Sequence, residues 1–507
     1  MSATAPRSSA EVLLDSCAQR RDSTALVHGD RHVTYGEIVD QVHRLARTLD
    51  AHGLQPGDVV TLLGGNAPEM IMVRLAANLL GCGVAQLYNG ISVESKAAIV
   101  ADVECRALIV DPGFADNARQ VLEHCSPGEV LGLGPGIGTD LLAEAADQPA
   151  EPVEGRARPD DVQQIRHTGG TTGHPKGICY TFATGLARAQ QRPEGPQLIT
   201  SETRLLVCTT IAHAAGFMAD SVLQNGGVVV LHDEFEPGAV LETIERERIE
   251  LMFLLPPLLY KLLDHPSIDD RDLGSLRCIV YGGCKSSPKR LAQAAERLGP
   301  VLVQMYGQTE AGMISLLRPE EHDPGRPWLL ETVGRPVPTT EVAVCDENGH
   351  RLPEGSRGEL WVRTGMHMDG YWKQPELTAQ TIQDGWVRTG DVGYLDAEGY
   401  LHVVDRVKDM IVVVGGHVYT SEVEDVLMEH PAVRHAAVFG VSDPDGAEKV
   451  HAAVVTAQPV DAEELEDLVE RRKGSMYRPT VLVVDDLPLT DAGKPDKKAL
   501  RGQLARA

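Results

Sequence analysis

Short apolar runs recur along the first three hundred residues, and between them lie stretches with helical spacing. "DVVTLLGGN" precedes "PEMIMVRLAANLLGCG", and the rhythm continues through "RALIVD", "RLLVCTT", "GGVVVLHD", "ELMFLLPP", "LRCIVYGG" and "VLVQMYG". A run of four to six apolar residues bounded by Gly, Asp or Pro reads as a strand covered on both faces, because a half-exposed strand would alternate. Such strands interleaved with helices predict an α/β fold with parallel sheets. Near the C-terminus "VLVVD" reads as a buried parallel strand of the same kind. "ALVHGDRHVTY" reads as two short strands about a Gly-Asp turn. "TYGEIVDQVHRLARTLDAHG" reads as a helix with Thr34 as N-cap and Gly53 beyond its C-terminus. Residues 125–162, rich in Gly, Pro, Ala and Glu, read as a surface loop, with "GLGPGIG" a plain loop whose spacing is not GxGxxG.

After about residue 330 the texture changes. "TEVAVCDENGHRLPEGSRGELWVRTG" and "GYLDAEGYLHVVD" alternate strands with Asn-Gly and Glu-Gly turns, which predicts a small β-rich subdomain. The last hundred residues mix helices ("SEVEDVLMEH", "AEELEDLVERRK") with strands ("HAAVFGV", "KVHAAVVTA") and predict a small α+β domain. No Gly/Ser-rich linker precedes it, so the reading is a large domain over residues 1–404 and a small one over 405–507, joined at a tight hinge near Asp405.

Composition excludes several classes. With 507 residues, 42% hydrophobic and 24% charged, the chain supports a large core in more than one domain. Its formal net charge of −26 opposes non-specific binding to nucleic acid or an anionic membrane. An anionic ligand must therefore be held by a local cluster. Nine cysteines without a CxxC pair point to a reducing compartment rather than a disulfide scaffold or zinc site. The N-terminal residues lack the apolar core of a signal peptide, and no apolar run reaches 18 residues; the expectation is a cytoplasmic enzyme.

One stretch asks for an anion. "HTGGTTGHPKG" follows a predicted strand, "VQQIRHT". Its glycines let backbone N–H groups approach a bulky anion, its threonines add donors, and Lys176 adds charge. It is not a Walker A loop, because no Lys-Ser or Lys-Thr follows the last glycine.

The stretch resembles the phosphate loop of the adenylate-forming superfamily of acyl-CoA synthetases, luciferases and peptide-synthetase adenylation domains. Other segments match in order: "YGQTEAG" (306–312), "TGDVG" (389–393), "DRVKDMIVVVGGHVY" (405–419) and "LPLTDAGKPDKKAL" (487–500). The resemblance spans nearly the whole chain and is closest to acid:CoA ligases. It implies that an acid attacks the α-phosphate of MgATP to give an acyl-adenylate and pyrophosphate, after which coenzyme A displaces AMP. It further implies a mobile C-terminal lid.

Residue by residue, the resemblance implies that Thr168, Gly169, Gly170, Thr171, Thr172, Gly173 and Lys176 hold the β- and γ-phosphates. Glu310, with Thr309 beside it, would bind Mg²⁺. Tyr306, Gly307 and the backbone of Gly282, Gly283 and Cys284 would flank the adenine. Asp391 and Arg406 would hold the ribose hydroxyls, and His213 would line the acyl site. Lys494 would bridge carboxylate and α-phosphate as the catalytic cation. Lys408 would be the hinge, and Gly415 and Gly416 the wall of the pantetheine tunnel. The chain departs from the family pattern at "TFATG" after the loop, at Thr420 where proline is frequent, at "MYRP" (476–479) and at "CKSS" (284–287).

The acid is read as aryl or medium-chain, from the small and apolar residues of "AHAAGFM" and "AGMIS". The acceptor is read as coenzyme A, with a carrier protein in trans, an amine or no organic acceptor as alternatives, and the acid activated could instead be inorganic, such as nitrite. A non-catalytic nucleotide-binding protein and a phosphotransferase are the competing classes. Oligomeric state is open, a homodimer included.

Overall fold

The computed structural model describes residues 8–87, 90–168, 176–190, 199–413, 416–442, 448–488 and 495–504. The chain divides into two compact units, Met1–Thr340 with Thr364–Gly385, and Glu341–Arg363 with Trp386–Ala507. The β-rich strands after residue 340 thus group with the C-terminal part.

The first unit holds two sheets. One has nine strands, and its six central members (Leu302–Gln308, Cys278–Gly282, Leu251–Leu254, Arg204–Val207, Val228–Leu231, Thr24–His28) are all parallel. Each is one of the apolar runs of the sequence, and Leu26, Leu205, Val229, Met252 and Ile279 are fully or almost fully buried, as strands covered on both faces must be. The second sheet has eight strands, ordered Gly370–Tyr371, Lys176–Thr181, Val162–Thr168, Gly83–Leu87, Val59–Leu63, Ala107–Val110, Val130–Gly132 and Thr139–Asp140. A single apolar core joins the two sheets through helices Ser9–Ala18, Tyr35–Ala51, Pro68–Leu79 and Ala214–Asn225. Tyr35 illustrates the join: its fully buried ring sends the hydroxyl to the Gly227 carbonyl at 2.6 Å.

Local expectations hold where side-chain chemistry dictates them. Thr34 accepts from the Glu37 N–H and Glu37 returns a carboxylate to the Thr34 N–H, a capping box at the start of helix Tyr35–Ala51. Gly53 sits past that helix at φ +80. "LMFLLPPLLY" is a strand, Leu251–Leu254, and then a helix opened by Pro256; among the described residues no helix is long and apolar enough to cross a membrane. Two expectations need correcting. Residues 125–162 are not a simple loop: Val130–Gly132 extends the eight-stranded sheet parallel to Ala107–Val110, and helix Leu141–Ala146 buries Leu141 and Ala145. "GLGPGIG" forms the turn within it, with Gly134, Gly136 and Gly138 at positive φ. Near the C-terminus, Thr480–Val483 is parallel to its neighbour but is an edge strand, and Val483 is 48% exposed.

In the second unit, strands Gly358–Thr364, Trp386–Leu395 and Leu401–Arg406 pair antiparallel as the turn signals predicted. The α+β part has strands Val433–Ser442, Glu448–Thr456 and Thr480–Val483 packed on helices Thr420–Glu429 and Ala462–Lys473 around Val423, Leu427, Val438, Ala452 and Leu465.

Candidate functional site

Strands Val162–Thr168 and Lys176–Thr181 are antiparallel, and Thr168 pairs with Lys176 across them. Gly169, Gly170, Thr171, Thr172 and Gly173 lie outside the described residues, as does the side chain of Thr168. The strand pair nevertheless fixes where the Gly/Thr-rich segment leaves and re-enters the sheet. Next to Lys176–Thr181 runs the two-residue strand Gly370–Tyr371. It is held by Asp369, whose carboxylate accepts from the Thr181 N–H at 2.7 Å and the Thr184 hydroxyl at 2.9 Å.

This anchoring places Tyr371. Lys176 Nζ lies 5.5 Å from its ring centroid, and its hydroxyl donates to Glu310 Oε1 at 3.1 Å. The Glu310 carbonyl accepts from the Met368 N–H at 2.8 Å. Thr309 is held by its own carbonyl, which accepts from the Tyr180 hydroxyl. Thr309 and Glu310 occupy the turn between strands Leu302–Gln308 and Gly312–Leu317, and Gly312 takes φ +73 there, a conformation that suits glycine. Glu310 Oε2 has no hydrogen-bond partner among the described residues. A half-buried carboxylate with one oxygen uncommitted suits a hard cation. Tyr306 and Gly307 end the preceding strand at a register shift. Gly282 and Gly283 end the strand beside it; a Cβ on Gly282 would come within 2.2 Å of the Met305 carbonyl, so the backbones close up there, and Gly283 turns at φ +87 before Cys284.

A second group adjoins. His213 stands at the N-terminus of helix Ala214–Asn225, and burial, then the charge of Arg166, lowers its pKa to about 4. It is neutral at pH 7. Arg166 stacks its guanidinium 3.9 Å from the centroid of Phe217, while burial lowers its pKa to about 10. Arg188 lies 3.9 Å from the Tyr180 ring and 5.8 Å from that of Phe217, and donates to the Met366 carbonyl. Among the described residues neither arginine has a carboxylate partner, and both Nε atoms are buried without a hydrogen bond. A cation–π contact returns about 0.5–2 kcal/mol. Both arginines are half-buried rather than enclosed.

In the second unit, Asp391 and Arg406 face each other across two strands. Arg406 Nε is 2.9 Å from Asp391 Oδ1, with Asp391 buried and Arg406 half exposed. The Asp391 N–H donates to the Thr389 hydroxyl at 3.0 Å, which itself donates to the Leu360 carbonyl at 2.7 Å. Lys408 is exposed in the turn that follows, where the Asp409 and Met410 N–H groups return to the Arg406 carbonyl. Asp405 accepts from the Thr420 N–H and, at 2.9 Å, from its hydroxyl. The departure at Thr420 therefore has a use, since proline would supply neither donor. Gly416 lies in strand Gly416–Val418; Gly415 and Lys494 lie outside the described residues. Among the described residues no group of three or more His, Cys, Asp or Glu could hold a metal.

Sequence reasoning missed Tyr180, Tyr371, Arg166, Arg188 and Phe217. One signal was available: strand alternation puts Arg166 on the same face as Thr168, a charged side chain beside the start of the anion-seeking stretch.

Comparison with known proteins bears on these groups. The family model for AMP-binding enzymes matches residues 13–372, and that for the AMP-binding enzyme C-terminal domain matches 422–494. The chain is 38% identical to a medium/long-chain-fatty-acid–CoA ligase of Mycobacterium tuberculosis, covering 98% of this chain and 90% of the relative. It is 35% identical to a feruloyl-CoA synthase of Amycolatopsis, covering 96% of each. Among solved structures, the amide bond synthetase McbA from Marinactinospora thermotolerans superposes with TM-score 0.88 at 40% identity, over 98% of this chain and 99% of that one.

Proposed function

Because the chain belongs to the AMP-binding, adenylate-forming enzyme family, we propose that it joins a carboxylic acid to coenzyme A by way of an acyl-adenylate. It is an ATP-dependent adenylating ligase. The reading is carried by the cluster of Lys176, Tyr371 and Glu310 beside the Thr168–Lys176 pair, a cation and a half-committed carboxylate at the exit of a Gly/Thr-rich segment.

In this reading residues 168–176 hold the β- and γ-phosphates, and Lys176 offsets their charge. Glu310, oriented by Tyr371, and Thr309 hold Mg²⁺, which when bound neutralises triphosphate charge. Tyr306, Gly307, Gly282, Gly283 and Cys284 flank the adenine. Asp391 accepts from the ribose hydroxyls and Arg406, already aimed at Asp391, donates to them. Neutral His213 lines the acid pocket without adding charge. Lys494 neutralises the encounter of two anions, carboxylate and α-phosphate, and so acts in the transition state. The domain boundary is placed at Asp405, with Lys408 as hinge and Gly415 and Gly416 along the path of the thiol. The support for coenzyme A is that relatives at 38% and 35% identity are named as a medium/long-chain-fatty-acid–CoA ligase and a feruloyl-CoA synthase.

A second reading, an amine as acceptor, is favoured by the 40% identity to an amide bond synthetase over almost the whole chain. The two are separated by a pyrophosphate-release screen over an acid panel with coenzyme A or amines, followed by mass spectrometry: thioester supports the first, amide the second. Lys494→Ala is expected to lower adenylation by about 10²–10³-fold or more. ATP binding should persist, and thioester should still form from pre-made adenylate. Adenylation near the wild-type rate would remove Lys494 from this role.

A further inference from the structure

Arg166 and Arg188 are unusual in where they are, not only in what they lack. Arg166 is two residues from Thr168 on the same strand face, and its charge reaches His213. Arg188, on helix Phe182–Gln190, donates to the Met366 carbonyl; Met366 packs on Gly312, since a Cβ there would come within 3.0 Å of the Met366 Cβ. Tyr180, under Arg188, donates to the Thr309 carbonyl. Arg166 is thus on the phosphate-loop strand, Tyr180 and Arg188 are linked to the Thr309–Gly312 turn, and Phe217 lies one turn after His213.

The carboxylate whose charge acts on Arg166, that of Asp220, is committed elsewhere. Asp220 lies on the same helix as Phe217, one turn on, and its Oδ1 is 2.5 Å from Arg74 Nη2. Arg74, Arg166 and Arg188 against one aspartate leave a local excess of positive charge in a chain whose net charge is −26. Phe217, its ring centroid 3.9 Å from the Arg166 guanidinium and 5.8 Å from that of Arg188, is 39% exposed, although its helix buries Ala215, Ala219, Val222 and Leu223. A partly exposed aromatic ring with two arginines close to it can accept a planar or apolar body together with an anion.

We propose that Arg166 and Arg188, with Phe217 and His213, form an anion-accepting subsite of the acid pocket, which selects acids carrying a second anionic group on an aromatic or apolar body. The proposal rests on the acid-activation reading and adds the substrate class. The anion is assigned to the acid rather than to the phosphates of ATP because Phe217 stands one turn after His213, which that reading puts in the acid pocket, and the charge of Arg166 reaches His213, whereas Lys176 already stands at the phosphate end.

The test is calorimetric titration of the wild-type protein, without ATP, with the three benzenedicarboxylates and adipate, each against its monomethyl ester. At least one diacid is expected to bind about 10- to 100-fold tighter than its ester, the range for one charge-assisted hydrogen bond. Arg166→Met, and separately Arg188→Met, should shrink that ratio; Arg166→Lys should keep part of it. If no diacid outbinds its ester, the proposal is wrong whatever the variants do. It is also overturned if Arg166→Met raises the KM for ATP instead of altering the acid ratio, which would give the arginine to the phosphates. Pyrophosphate release is measured in parallel. An Arg166-dependent preference without pyrophosphate from any acid would keep the subsite and refute acid activation; pyrophosphate from mono-acids without any dianion preference would do the reverse.

Discussion

At the scale of single residues, the site depends on side chains that hold other side chains. Tyr371 touches Glu310 through one hydroxyl, and nothing else about that contact needs a phenol. Tyr371→Phe is therefore expected to lower kcat/KM for pyrophosphate release about 10-fold and to raise the Mg²⁺ concentration needed for half-maximal rate, with the melting temperature within about 2 °C of wild type. Restored activity at high Mg²⁺ would confirm that the hydroxyl acts through Glu310; a drop in melting temperature with unchanged Mg²⁺ dependence would make it structural only. His167 is the opposite case. It is buried, both ring nitrogens lack hydrogen-bond partners among the described residues, and Asp102 is 3.9 Å away, beyond hydrogen-bond reach. An unsatisfied buried donor costs about 1–3 kcal/mol, so His167→Phe is expected to leave stability unchanged or raise it. Chemical denaturation at pH 7 checks this, and a loss above about 1 kcal/mol would reveal a partner for the imidazole.

At the scale of elements, the segment after strand Leu401–Arg406 is the informative one. Its strand ends at Arg406, Asp409 and Met410 fold back to the Arg406 carbonyl, and the next strand begins at Ile411. On the reading proposed above, in which the small domain rotates at Lys408, few dihedrals would have to absorb the motion, and hinges are typically such element-terminal residues. Lys408→Pro fixes φ near −65° and restricts residue 407 as well. The expected outcome is that one half-reaction survives and the other fails: a single turnover of pyrophosphate with little thioester if the frozen state is the adenylating one. A burst assay with and without coenzyme A reads this directly, and full thioester turnover would show that no rotation at Lys408 is needed.

At the scale of the whole molecule, buried histidines tie stability to pH. Burial lowers the pKa values of His167, His213 and His322 to about 4, with the charge of Arg166 adding to the effect at His213. In the unfolded chain they return to about 6.5. Between those values the unfolded state binds more protons, so stability falls as pH falls from about 6.5 toward 4 and this source adds nothing further below. Urea unfolding at pH 7 and pH 5 is expected to show a lower midpoint at pH 5, and His167→Phe should reduce the difference. An equal midpoint at both values would mean that these imidazoles are hydrated in solution.

What the amino-acid order settles alone is whatever depends on neighbours in the chain. The parallel α/β architecture follows from short apolar runs between helical stretches, and the Thr34 cap follows from a threonine three residues before a glutamate. The ordered motifs likewise marked the stretches that hold Lys176, Glu310, Asp391 and Arg406. The short strand Val130–Gly132 escaped because three residues among Gly and Pro carry too little pattern, and only pairing with Ala107–Val110 makes them a strand. Tertiary structure alone decided which charges are satisfied. Asp220 could serve either of two arginines, and it is the fold that gives it to Arg74; Phe217, 51 positions after Arg166 in the chain, comes to lie under that guanidinium. Charge balance within a few ångströms depends on contacts between distant segments, because Coulombic and desolvation energies follow distance and burial rather than position in the sequence.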